Sequence, residues 1–103
     1  MPIPLAGRAI VTGAVSGLGK AITQELAIRG WEIATVDSKD SSDQAWSDLE
    51  HDVLSGGGKH LPSPFDVRDV ESWRRLSDQL QKQWTTIDLL VNAAGVGATG
   101  EVG

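Results

Sequence analysis

Thr12, Gly13, Gly17 and Gly19 have the types and spacing to hold an anion. They fall in Ala9–Ile22, between a short apolar run and a helix-like pattern. A strand that stops at Gly13 and resumes as a helix near Gly17 leaves a row of backbone N–H groups without partners. Those donors, with the positive end of the helix dipole, suit a pyrophosphate. Glycine serves where the chain bends sharply, where backbone must approach phosphate, and where helix must sit close on strand. Ser16 and Leu18 complete the turn and open the helix. A glycine turn that serves packing alone is the competing reading. A Walker phosphate loop is excluded, because Lys20 follows Gly19 but Ala21, not Ser or Thr, follows Lys20.

The elements that must position this turn alternate along the chain. Arg8–Gly13 reads as a strand, and a helix from about Gly17 to Arg29 carries Leu18, Ile22 and Leu26 on one face. Gly30 stands where a helix C-terminal glycine belongs. Trp31–Asp37 reads as a second strand, and a weaker helix runs from about Asp43 to Leu54. "SGGGKH" reads as a loop. Leu61–Val67 takes the place of a third strand, although Pro62 and Pro64 each remove a ladder donor and restrict it to a sheet edge or bulge. A helix from about Asp69 to Trp84 aligns Val70, Trp73, Leu76, Leu80 and Trp84, with Asp69 as N-cap. Ile87, Leu89, Leu90 and Val91 form a last apolar strand of the kind buried on both faces.

This alternation predicts an α/β fold, a Rossmann-type doubly wound parallel sheet in the order 3-2-1-4, truncated after the fourth strand. That order places the proline-bearing strand at one edge. It also places the apolar fourth strand at the other, where its character makes sense only if more sheet follows. The expectation is one part of a single domain, residues 1–103, with no internal boundary.

Composition narrows the function. A formal charge of −5 argues against a nucleic-acid partner, so an anionic ligand must rely on backbone N–H groups rather than a basic field. No apolar run approaches the ~20 residues that span a membrane. Nor does the N-terminus carry the pattern of a secretory signal. With no cysteine there is no disulfide framework or thiolate metal site, which fits a reducing, cytoplasmic setting. His51 and His60 lack ligand-like spacing and are expected at the surface or in loops; no metal site is expected.

The spacing Thr-Gly-x-x-x-Gly-x-Gly resembles that of the short-chain dehydrogenase/reductase family, in its main, shorter branch. The resemblance extends to three later positions and so covers the chain from end to end. Asp37, closing the second strand, implies a carboxylate on the hydroxyls of an adenine ribose. Its alternative is a solvated turn residue. A 2′-phosphate at that place would meet like charge, so the implied cofactor is NAD in preference to NADP. Ser16 and Ser38 stand where members preferring NADP usually carry a basic residue, with Lys39 one step further on. Asp66, with Val67 beside it, matches the aspartate that contacts the adenine amino group; a loop or helix-cap aspartate is the alternative. Asn92, Ala93, Ala94 and Gly95 match the family's N-N-A-G turn, with Ala93 replacing the second asparagine. A plain strand-to-loop turn is the alternative there.

The family's chemistry is acid–base catalysis on an alcohol or carbonyl by a tyrosine, aided by a lysine four residues on and a serine. This sequence contains no tyrosine, so no catalytic residue is nominated. The expectation is therefore the cofactor-binding half of an NAD(H)-dependent oxidoreductase, inert and marginally stable alone, and homo-oligomeric when full length. It would bind a nicotinamide dinucleotide and, when complete, a small alcohol or carbonyl substrate. The alternative is a non-catalytic nucleotide-binding or regulatory module ending naturally at Gly103.

Overall fold

The computed structural model describes residues 6–94. Gly95 of the predicted site lies outside them. The elements in chain order are β1 (Arg8–Thr12), α1 (Gly17–Ile28), β2 (Glu32–Asp37), α2 (Gln44–Gly56), β3 (Lys59–Pro64), α3 (Val70–Gln83) and β4 (Leu89–Asn92). The strands form one parallel sheet in the order β3-β2-β1-β4, as predicted. The register sets Thr12 beside Val36 and Asn92, and Asp37 beside Pro64. Every strand therefore ends at the same edge of the sheet.

Side chains alternate between two cores, as a sheet covered on both faces requires. Ala9, Val11 and Ile33 meet Leu26, Leu49 and Val53 of α1 and α2. On the opposite face Ile10, Ala34 and Val36 meet Leu76, Leu80 and Trp84 on and just after α3. Burial of an aliphatic side chain such as Leu26 or Leu49 contributes about 1.5–3 kcal/mol. Trp84 keeps its indole N–H satisfied by donating to Glu32 Oε2 at 2.9 Å. Among the described residues, no helix is long and apolar enough to cross a membrane.

The helix ends follow their capping residues. Asp43 accepts from the Ala45 N–H at 2.9 Å to open α2, and Asp69 accepts from the Ser72 N–H at 3.3 Å to open α3. Two residues expected on apolar helix faces are instead exposed, Leu18 at 55% and Val70 at 62%. Each lies in the first turn of its helix.

Two boundaries differ from the sequence reading. "SGGGKH" is no open loop: α2 runs through Gly56 and β3 begins at Lys59. A Cβ on Gly58 would lie 2.9 Å from Ala27 Cα, so α1 packs directly on this connection. As a result β3 starts earlier, at Lys59, and ends at Pro64 rather than Val67. The Lys59 N–H donates to Trp31 O and the Phe65 N–H to Asp37 O, both toward β2. With that phase, backbone nitrogens at positions 62 and 64 face away from β2. Proline there forfeits no ladder bond and leaves the outer edge short of donors. At the other edge, Leu90 of β4 is 63% exposed.

His60 corrects the expectation of a surface or loop histidine. It lies on β3 with its side chain fully buried, its Nε2 2.6 Å from Thr35 Oγ1 and its Nδ1 bonded to Glu50 of α2. The imidazole thus ties β2, β3 and α2 together. Burial holds its pKa below the usual 6.5, against the pull of Glu50. The unfolded chain then binds the proton more readily than the folded one, and stability falls as pH drops below 6.5. Urea unfolding of the protein should give a lower midpoint at pH 5.5 than at pH 7.5. His60→Gln should flatten that dependence; an equal slope in the variant would refute this role.

Candidate functional site

A cleft of about 820 Å³ opens at the strand ends. It gathers the predicted residues Gly13, Ser16, Gly17, Leu18, Asp37, Asp66, Val67, Ala93 and Ala94. Ser38 and Arg68 join them; Arg68 was not anticipated from the sequence. Thr12, Gly19 and Asn92 are not among the lining residues, and the first two act from behind the wall.

The three glycines do different work. A Cβ on Gly19 would sit 2.1 Å from the Gly13 carbonyl oxygen, so only glycine lets α1 begin directly over the end of β1. A Cβ on Gly13 would lie 2.9 Å from both Ala94 Cα and Ala94 N, which brings the turn after β4 against the first turn. Gly17 differs. Its φ is +56° and nothing stands within 4 Å of its Cβ position. Packing accounts for Gly13 and Gly19 but not for Gly17, which borders the open cleft.

The start of α1 beside it is left without a side-chain cap. Ser16 is extended, with φ −151° and ψ 163°, and makes no capping hydrogen bond; the first turn carries no acidic residue. The orphan N–H groups and the helix dipole therefore face the cleft. A donor set of this kind fits a phosphate group.

Across the mouth of the cleft stand two carboxylates. Asp37 Oδ2 accepts from the Val15 N–H at 3.3 Å and Oδ1 from the Lys39 N–H at 3.0 Å, so the end of β2 is fastened to the glycine turn. Asp66, just past β3, is gripped by Arg68. Its Oδ1 accepts from the Arg68 N–H at 2.9 Å and Nε at 3.0 Å, and its Oδ2 from Nη2 at 2.7 Å and Nε at 3.3 Å. The hydrogen bonds from the Arg68 side chain, then that from its backbone, hold the Asp66 pKa down at about 2. An Asp-x-Arg pair in a turn has no periodicity, which is why Arg68 escaped sequence reading.

Thr12 explains how β4 is held. Its hydroxyl is 3.0 Å from Asn92 Oδ1 and accepts from the Ala94 N–H at 3.3 Å. This buried threonine thus anchors Ala93 and Ala94 at the rim. The described lining residues include only Asp37, Asp66 and Arg68 as titratable groups. Among the described residues, no three His, Asp or Glu side chains are placed to hold a metal.

The parallel order 3-2-1-4, with a phosphate-type turn after β1 beside the point where the order reverses between β1 and β4, defines a doubly wound α/β class of fold. The family model described as short chain dehydrogenase matches residues 8–103, and this chain belongs to the short-chain dehydrogenase/reductase family of oxidoreductases. It is 38% identical over 88 residues to a D-threitol dehydrogenase of Mycolicibacterium smegmatis, covering 85% of this chain and 33% of that protein. A 2,3-dihydro-2,3-dihydroxybenzoate dehydrogenase of Bacillus subtilis is 36% identical over 91 residues, with 85% and 33% covered. Among solved structures, an NADH-dependent reductase A1-R′ complexed with NAD superposes with a TM-score of 0.70 at 26% identity, over 85% of this chain and 36% of that one. The chain spans about a third of the length of the curated relatives it matches.

The glycine geometry makes a direct prediction. Gly19→Ala should destabilise the protein by about 1–3 kcal/mol, because backbone must move to admit the methyl group. Gly17→Ala should cost no more than about 1–2 kcal/mol of left-handed backbone strain. Chemical denaturation of both variants checks the order, and a larger loss at Gly17 would contradict it.

Proposed function

We propose that this chain forms the dinucleotide-binding part of an NAD(H)-dependent oxidoreductase that interconverts an alcohol and a carbonyl. The observation that carries the reading is the open, uncapped N-terminus of α1 at Gly17, facing the same cleft as Asp37 and Asp66. Neighbouring strands lie about 4.8 Å apart. A pyrophosphate over the glycine turn at β1 would therefore direct its adenosine across β2 and on to β3. The ribose then comes to Asp37 and the adenine to Asp66 and Val67. Ala93 and Ala94 would border the nicotinamide half.

NAD is favoured over NADP because Asp37 offers acceptors to ribose hydroxyls and repels a 2′-phosphate. Ser16 and Ser38 supply no compensating cation. Bound nicotinamide would accept or donate the hydride. The residues of this chain bind and orient it, and the tyrosine-type proton donor would come from outside the 103 residues. The absence of cysteine agrees with a cytoplasmic setting.

Titration of the full-length protein with NADH and NADPH tests this. NADH should bind about tenfold more tightly or better, and Asp37→Ala should bring the two within about threefold. Tighter binding of NADPH by the parent protein would overturn the cofactor assignment.

A further inference from the structure

We propose that Arg68 is a positioning residue that sets purine specificity. Its guanidinium fixes the plane of the Asp66 carboxylate, so that this end of the cleft takes a 6-aminopurine in preference to a 6-oxopurine. The inference rests on the dinucleotide reading above and goes beyond it to the base-selecting device.

Arg68 is the one cation among the described lining residues of the cleft. Its side chain is 87% exposed and that of Asp66 41%, so the pair is no buried structural ion bridge. Such an exposed pair contributes little to folding stability. The geometry is nevertheless specific. Backbone N–H, Nε and Nη2 of one residue converge on both carboxylate oxygens, at 2.7–3.3 Å. A planar guanidinium fork fixes a carboxylate in a way that an ammonium cannot.

The consequence follows from hydrogen-bond capacity. An ionised carboxylate has about four acceptor positions and no donor. Those four contacts use the four positions, but the one from Nε to Oδ2 is the longest at 3.3 Å, and an incoming donor takes its place at Oδ2. Adenine presents an amino donor at C6 and an acceptor at N1. Hypoxanthine reverses both, with an oxygen at C6 and an N–H at N1. A carboxylate free to turn could follow the N1–H of hypoxanthine and accept from it. Held in one plane by Arg68, Asp66 accepts from the amino group of adenine and turns a lone pair against the oxygen of hypoxanthine. The selectivity depends on the orientation of Asp66 as well as its charge.

The test compares NADH with reduced nicotinamide hypoxanthine dinucleotide, titrated into the full-length protein and into Arg68→Ala, Arg68→Lys and Asp66→Asn. The parent should favour NADH by about tenfold, the value of one charged hydrogen bond exchanged for a repulsion. Both Arg68 variants should shrink that ratio to about threefold or less, because lysine keeps the charge but not the fork. Circular dichroism should show each variant folded, as expected at so exposed a position. A purely structural role would weaken both dinucleotides alike and leave the ratio unchanged. An unchanged ratio in both Arg68 variants, beside its collapse in Asp66→Asn, would overturn the role of Arg68 and leave the dinucleotide reading standing. Full selectivity in Arg68→Lys would also overturn it, since charge alone would then suffice. If the parent binds neither dinucleotide, the function proposed above falls, and this inference with it.

Discussion

The carbonyl oxygen of Gly13 lies 2.1 Å from the point where a Cβ on Gly19 would be, and this close approach governs the geometry at the strand ends. It sets the start of α1 directly over the end of β1. Were the helix to stand off by the width of a methyl group, its free N–H row would turn from the cleft. The Val15 N–H would also draw away from Asp37. Backbone approach at one glycine thus ties the placement of the donors to that of the carboxylate.

A parallel sheet makes that local arrangement into a site. Because the strands share one direction, the segments that follow them emerge at a common edge, each bringing what its own sequence carries. β1 delivers the glycine turn, β2 delivers Asp37, β3 leads to Asp66, and β4 leads to Ala93 and Ala94. The two internal fastenings, Asp37 to the Val15 N–H and Thr12 to β4, stitch neighbouring strand ends to one another. Away from this edge His60 does the corresponding work for β3, joining it to α2 and to Thr35. Site and scaffold therefore share their polar connections, and the residues that hold the rim in place need not face the cleft.

How much of this could be read in advance depends on the reach of the interaction. The strand order was legible because alternating strands and helices imply the doubly wound order 3-2-1-4, which puts the proline-bearing β3 at an edge where it is tolerated. The glycine turn between β1 and α1 was legible, though not the division of labour among its glycines, which depends on what each absent Cβ would meet. The burial of His60 is not legible in the sequence, because its partners, Thr35 and Glu50, come from separate elements and leave no local pattern. "SGGGKH" looked like a loop because glycine signals both freedom and close packing, and here Ala27 demands the second. Leu18 matched the helical period, yet it is exposed and lines the cleft. Arg68 was invisible because an ion pair within a turn has no periodicity at all.

The most direct measurement is a crystal structure of the protein grown with NAD. The pyrophosphate should lie over the backbone N–H groups at the start of α1, beside Gly17. The adenine ribose should lie within hydrogen-bond distance of Asp37, and the adenine beside Asp66. A dinucleotide bound elsewhere, or lying in this cleft with its pyrophosphate away from the glycine turn, would contradict it.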